Sequence, residues 1–142
     1  MAKIKLELVK LRKEFGELNA VDDVSIAIEE SETMALLGPS GCGKTTILNM
    51  IVGLEKPTSG DILIDGKSVL NVPPGQRNVG LVFQDYAVFT HMTVRQNLAY
   101  GLKLRKMKQP EIDREISKVS EFLSLGHQLD RKPSELGASE LQ

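Results

Sequence analysis

The chain opens on a strict alternation of apolar and polar residues, "IKLELV" from Ile4 to Val9, and a second alternating run, "VSIAI", occupies Val24 to Ile28. A period of two puts every second side chain on one face of a pleated strand, so both runs predict strands of an antiparallel opening, separated by the turn-like "FGELNAVDD". "TMALLG", Thr33 to Gly38, is a short continuous apolar run that stops at glycine, and it predicts a strand buried on both faces. "KTTILNMIVGL" predicts the helix that follows, ended by the proline and glycine of "EKPTSG" before a short strand "DILID".

The prolines and glycine of "NVPPGQRN" predict a loop, and "VGLVF", Val79 to Phe83, predicts a second short buried strand. Helical periodicity then takes over. Thr93 with Gln96 three residues later has the form of a capping box for a helix running to about Leu104. In "PEIDREISKVSEFLSLG", Pro110 suits a first helical position, Ile112, Ile116, Val119 and Phe122 or Leu123 form one face, and Gly126 suits the C-cap. The pattern is a strand-rich first half and a helical second half, with the loop after Phe83 between them.

Length and composition narrow this picture. The 142 residues fit one domain, and 41% apolar with 26% charged residues is ordinary globular usage. A formal net charge of -1 argues against a chain built to coat nucleic acid or an anionic membrane, so any phosphate must be gripped locally. The single cysteine, Cys42, has no disulfide partner, which favours a reducing compartment. The N-terminal "MAKIKLELVKLRKEF" lacks the apolar core of a secretory signal, and no uncharged run reaches the roughly 18 residues of a membrane span.

"GPSGCGKTT" fits G-x-x-x-x-G-K-[ST] from Gly38 to Thr45, between an apolar run and an amphipathic helix. Gly38, Gly41 and Gly43 let the backbone curl until successive N–H groups converge on an anion, and the helix N-terminus adds its positive dipole end. Lys44 can reach β- and γ-phosphate oxygens, and the Thr45 hydroxyl can ligate a bridging magnesium. Cys42 reads as the loop's small residue, His91 and His127 lack metal-ligand spacing, and "KLRKMK", Lys103 to Lys108, reads as a solvated helix end.

With "GPSGCGKTT" followed by "LVFQDYAVFTHMTV" and "DRKPSEL" in order, the chain resembles the nucleotide-binding subunit of ABC transporters, most closely the sugar-importer branch of maltose and multiple-sugar type. The resemblance runs from about Ile4 to Leu136. It implies an α/β P-loop NTPase fold, here its N-terminal portion: an antiparallel β subdomain, part of a core parallel sheet, and a helical subdomain, ending before the Walker B strand. One partial domain over residues 1–142 is expected, with a β and P-loop portion at 1–84, a helical portion at 85–136 and a divergent tail at 137–142 in the signature position.

The resemblance also assigns roles. ATP with magnesium is the implied cofactor. Phe15 in "KEFGELNAV" matches the adenine-stacking aromatic, with core packing as the alternative for a lone aromatic beside a strand. Gly38, Pro39, Ser40, Gly41, Cys42, Gly43, Lys44, Thr45 and Thr46 form the nucleotide site, Thr46 toward the α-phosphate. Gln84 matches the glutamine that touches magnesium and the attacking water, so Lys44 and Gln84 are the catalytic candidates and Thr45 and Gln84 the magnesium ligands. Asp85 to Met92, with Tyr86, Phe89 and His91, resembles the surface that grips a membrane-spanning permease subunit. A peripheral subunit at the cytoplasmic face of the inner membrane is implied, served indirectly by a solute-binding protein, dimeric in complete family members, and without nucleic acid.

"KPSEL" leads in the family into Leu-Ser-Gly-Gly-Gln, whereas Leu136 is followed here by Gly137, Ala138, Ser139 and Glu140. The expectation is an N-terminal half that lacks the Walker B aspartate and the catalytic glutamate and does not hydrolyse ATP alone. Two other readings stay open: a different P-loop phosphotransferase, and a non-catalytic nucleotide-binding or regulatory fragment that pairs with a full-length subunit.

Overall fold

The computed structural model describes residues 3–141. The chain divides into two compact units, Met1–Leu81 and Val82–Gln142.

In the first unit, β1 (Ile4–Phe15), β2 (Leu18–Glu29), β3 (Ser59–Ile64) and β4 (Lys67–Ser68) form one sheet in the order β2-β1-β3-β4, and every pairing is antiparallel. Leu8 stands opposite Ile26 on one side and Ile62 on the other. The alternating pattern thereby becomes one apolar face. Helix α1 (Lys44–Val52) sets Ile47 and Met50 into a core with Leu8, Leu11, Val21, Ile62 and Val69. Full burial of such side chains is worth about 1.5–3 kcal/mol each, which makes this layer the main cohesion of the unit.

Four sequence expectations are corrected. β1 and β2 are each 12 residues long, and the turn between them is only Gly16 and Glu17. Most of "FGELNAVDD" is strand because the ladder continues through Lys13–Val21 and Glu14–Asn19 pairs regardless of hydropathy. Thr33–Gly38 and Val79–Phe83 are not buried strands: they join no sheet, Leu37 is 91% exposed and Val82 78% exposed. With them goes the partial parallel sheet, since a strand persists only beside a neighbour that takes up its N–H and C=O groups, and no described strand pairs with either. Finally, α1 stops at Val52 with Gly53 in the left-handed region, two residues short of the apolar pattern.

The second unit holds α2 (Val94–Leu104), α3 (Gln109–Phe122) and the short α4 (Ala138–Leu141). The expected capping box is formed: Thr93 Oγ1 accepts from the Gln96 amide at 3.3 Å while Gln96 Oε1 accepts from the Thr93 amide at 2.9 Å. Val94 and Arg95, whose amides have no partner one turn back, donate instead to the carbonyls of Arg131 and Leu129. Val94, Ala99, Ile112, Ile116 and Leu129 form the core. The α3 face is narrower than its pattern, because Val119 and Leu123 are exposed and Phe122 is 85% exposed.

The end of α3 is also corrected. Ser124, not Gly126, takes the left-handed position at φ 57°, with Ser124 N–H donating to Glu121 and Leu125 N–H to Ser120. That is the bond pair of a Schellman motif, closed by a serine one turn after Ser120. Gly126 instead opens a 3-10 turn, Gly126–Gln128, and Pro110 is the second helical residue rather than the first.

Candidate functional site

The phosphate-loop residues stand together in the first unit. After β2 the chain runs without regular structure to Pro39, turns at Ser40–Gly41, and enters α1 at Lys44. The first bond within α1 goes from the Ile47 amide to the Gly43 carbonyl at 2.9 Å. The amides of Lys44, Thr45 and Thr46 therefore have no carbonyl one turn back, and a helix N-terminus in this state is an anion receptor.

Gly43 decides where that terminus sits. Its φ is 90°, and a Cβ there would collide with the carbonyl oxygen of Ala20 in β2. Only glycine lets the loop press onto the strand, so the sheet holds the cradle directly. Gly41 is likewise left-handed, at φ 80°, but nothing lies within 4 Å of where a Cβ would stand. Backbone freedom is all that Gly41 contributes.

Lys44 is half-buried and its ammonium donates to the carbonyls of Gly38 and Pro39, both at 2.7 Å, and to Cys42 Sγ at 3.3 Å. The charge is thus folded over the loop, satisfied by neutral acceptors that a phosphate oxygen outcompetes. Thr45 is exposed and Thr46 half-buried. Unpartnered amides, a cation on the loop and an exposed hydroxyl are the donor set that a nucleotide phosphate with magnesium requires, so the residues fit that group.

Phe15 closes β1 opposite Leu18, 46% exposed, with Lys13 Nζ 4.7 Å from its ring centroid. Core packing is therefore excluded. Because Lys13 pairs with Val21, Phe15 lies about 7 Å along the strand from the rung that meets Gly43, at 3.3 Å per residue. The ring is exposed on the same unit as the cradle.

Gln84 belongs to the second unit and lies exposed in a turn with Asp85, not at the end of a strand. The following loop is irregular, with Tyr86 and Ala87 both left-handed at φ 62° and 48°. The Phe89 ring lies 4.5 Å from that of Tyr100 and 6.2 Å from His91. A cavity of about 400 Å³ is lined by His91, Met92, Gln96, Tyr100 and Lys103.

Two residues went unnoticed in the sequence. Asn97 accepts from the Phe89 amide at 2.8 Å and donates to the carbonyls of Phe89, Met92 and Thr93, holding the loop onto α2. Arg77, buried in the first unit, donates to the carbonyls of Met50, Ile51 and Val72. Burial pushes its pKa down from the ordinary arginine range. Nothing in a polar loop residue announces such long-range partners. A larger cavity of about 480 Å³ between the sheet and α1 has only Lys44 and Thr45 as polar lining, so it is an apolar space and not the phosphate cradle.

Among the described residues no helix is long and apolar enough to cross a membrane, and no cluster of three or more His, Cys, Asp or Glu could hold a metal.

Comparison with known proteins agrees with this geometry. The chain is 44% identical over 137 residues to the sn-glycerol-3-phosphate import ATP-binding protein UgpC 2 of Rhizobium johnstonii, covering 96% of this chain and 40% of that one. It is 48% identical over 143 residues to the trehalose/maltose import ATP-binding protein MalK of Thermococcus litoralis, covering 96% and 38%. It thus spans about 40% of the length of these relatives. The fold superposes on the dimeric structure of a bacterial ABC transporter cassette with a TM-score of 0.84 at 26% identity, over 96% of this chain and 65% of that one. A post-hydrolysis state of the same cassette, bound to ADP and Pi, gives 0.83 at 26% identity, with the same coverage. The ABC transporter family pattern matches residues 21–142, which takes in the phosphate loop, the Gln84 loop and the segment after Leu136. On that match, and with the cassette fold beside it, the chain belongs to the ABC transporter family.

Proposed function

We propose that this chain binds Mg-ATP as the nucleotide-binding part of an ABC importer whose solute is a carbohydrate or a related polyol. The observation that carries the reading is the cradle: Gly43 seated on Ala20, with the Lys44 ammonium folded over the Gly38 and Pro39 carbonyls. The solute class rests on relatives named for import of trehalose and maltose and of sn-glycerol-3-phosphate.

In this reading Gly38 to Thr46 hold the phosphates by backbone amides, Lys44 neutralises the β and γ oxygens, Thr46 faces the α-phosphate and Phe15 stacks on the base. Thr45 and Gln84 would hold the magnesium. The metal, when bound, neutralises charge between the outer phosphates. Gln84 orients the attacking water, and residues Asp85 to Met92 face a membrane-spanning permease at the cytoplasmic side. The β and phosphate-loop portion runs to approximately residue 84, near the division of the two compact units at Leu81 and Val82, with the helical portion at 85–136 and the signature-position tail at 137–142. Among the described residues no carboxylate hydrogen-bonds to residues 38–46, and general base catalysis is worth typically about 10²- to 10⁴-fold. Hydrolysis by these 142 residues alone is accordingly expected to be slow, and binding is the activity to measure.

The test is a fluorescent-nucleotide titration of the purified chain with and without magnesium, beside Lys44→Ala. Saturable binding that the variant loses supports the reading. Equal affinity of the two proteins rejects it, and single-turnover phosphate release at several per minute, absent in the variant, rejects the slow-hydrolysis part.

A further inference from the structure

We infer that Arg77 is a positioning residue for the phosphate loop, acting through the far end of α1. This rests on the nucleotide-binding reading for its functional consequence, but the geometry stands by itself. α1 is nine residues, about 13 Å long at 1.5 Å per residue. The sheet beneath it has four strands, and three gaps of about 4.8 Å span about 14 Å from β2 to β4. The helix is therefore about as long as the sheet is wide.

Each end is anchored at a different edge. The N-terminus is pressed onto β2 where Gly43 meets Ala20. At the C-terminus Arg77 Nη1 donates to Met50 O at 2.8 Å and Ile51 O at 3.0 Å, while its Nε donates to Val72 O at 2.8 Å. Both carbonyls of α1 belong to its last turn: Met50 O otherwise takes only a share of the Gly53 N–H at 3.2 Å, whose shorter bond goes to Asn49 O, and Ile51 O has no backbone donor. A cation there also complements the helix dipole. Val72 belongs to the loop after β4, fixed to the sheet by Val69 N–H donating to Ile62 O at 2.9 Å. One planar guanidinium thus ties helix end to sheet edge, which a single ammonium cannot do with the same fork of donors.

Gly53 makes room for the tie. It is left-handed at φ 88°, and a Cβ there would fall 2.7 Å from Arg77 Cζ and Nε. The arrangement needs a glycine and an arginine 24 positions apart, and only the fold brings them together. With the C-terminal anchor cut, α1 pivots on Gly43, and the amides of Lys44 to Thr46 turn with it.

The experiment uses the full chain with Arg77→Met, Arg77→Lys and Gly53→Ala, the last crowding the guanidinium from the opposite side. Amide resonances of residues 41–46 and nucleotide affinity are read at a temperature where thermal melts show each protein folded. Expected are shifted resonances at 41–46 in all three, at least a fivefold loss of affinity in Arg77→Met, and partial rescue in Arg77→Lys. Should Arg77→Met fail to fold, the other two variants carry the same readouts. A lower Tm with unmoved 41–46 resonances would show that Arg77 only stabilises, and overturns the inference. If wild type binds no nucleotide, the proposed function falls, while the resonances still decide the role of Arg77.

Discussion

The ammonium of Lys44 donates to the carbonyl oxygen of Gly38 over 2.7 Å, so the loop's only cation is held by the loop's own backbone. Pro39 O accepts from it at the same distance. Replacing these neutral acceptors by phosphate oxygens yields charge-assisted bonds worth about 1.5–3 kcal/mol. Lys44→Ala is expected to weaken nucleotide binding by about tenfold to a hundredfold. Titration with a fluorescent nucleotide checks it, and a change below threefold counts against the role.

Gly43 and Gly41 share a left-handed backbone but differ in surroundings, which separates strain from collision. Gly41→Ala should cost only the left-handed penalty, about 1–2 kcal/mol. Gly43→Ala adds a clash with Ala20 O and should cost more, while displacing the loop from β2. Urea denaturation of both variants orders them, and equal losses would show that the Ala20 contact is not limiting.

Phe15 is expected to act through its ring face. Base stacking is worth about 1–3 kcal/mol by alanine substitution, so Phe15→Ala should weaken ATP binding by about fivefold or more while Phe15→Tyr stays near wild type. Lys13→Met, which removes the cation 4.7 Å from the ring, tests whether that cation competes with a base for the same face. Unchanged affinity in Phe15→Ala removes the aromatic from the site.

The pH dependence of stability should carry the Asp65 cluster. The hydrogen bonds from Lys5 and then Lys3 hold the Asp65 carboxyl below its ordinary 3.8, and Asp65 in turn raises Lys5 above 10.5. A depressed carboxylate stabilises fully above the unfolded value and loses that contribution as pH falls through the lower folded value. A raised lysine stabilises fully below 10.5 and loses its contribution as pH rises through the folded value. The stability difference between wild type and Asp65→Asn should therefore be flat near neutrality and shrink both below about pH 3.8 and above about pH 10.5. A difference constant in urea titrations from pH 7 to 3 contradicts it.

Asn97 should govern the order of the Gln84-following loop. Its amide satisfies Phe89 at both backbone atoms and two further carbonyls. In Asn97→Ala the Phe89 amide should exchange at least about tenfold faster, since opening the loop no longer breaks these bonds. Exchange at α3 amides serves as the internal reference, and equal acceleration there would mean global destabilisation instead.

What the sequence by itself determined lies in patterns that neighbouring residues complete among themselves. The phosphate loop needs glycines, a lysine and a threonine at fixed local spacing. The capping box at Thr93 and Gln96 closes within one turn, and the alternation of Leu6, Leu8, Ile26 and Ile28 needs only the pleat. The tertiary structure decided everything that depends on a distant partner. β1 and β2 extend through polar residues because each supplies the other's ladder, while the more apolar Thr33–Gly38 and Val79–Phe83 remain outside any sheet because no described strand pairs with them. Gly43 owes its necessity to Ala20, Gly53 to Arg77, and Arg77 to three carbonyls on two other segments. Hydropathy records whether a side chain avoids water, but the hydrogen-bonding needs of the backbone are the same for every residue, so their partners become visible only when the chain is folded.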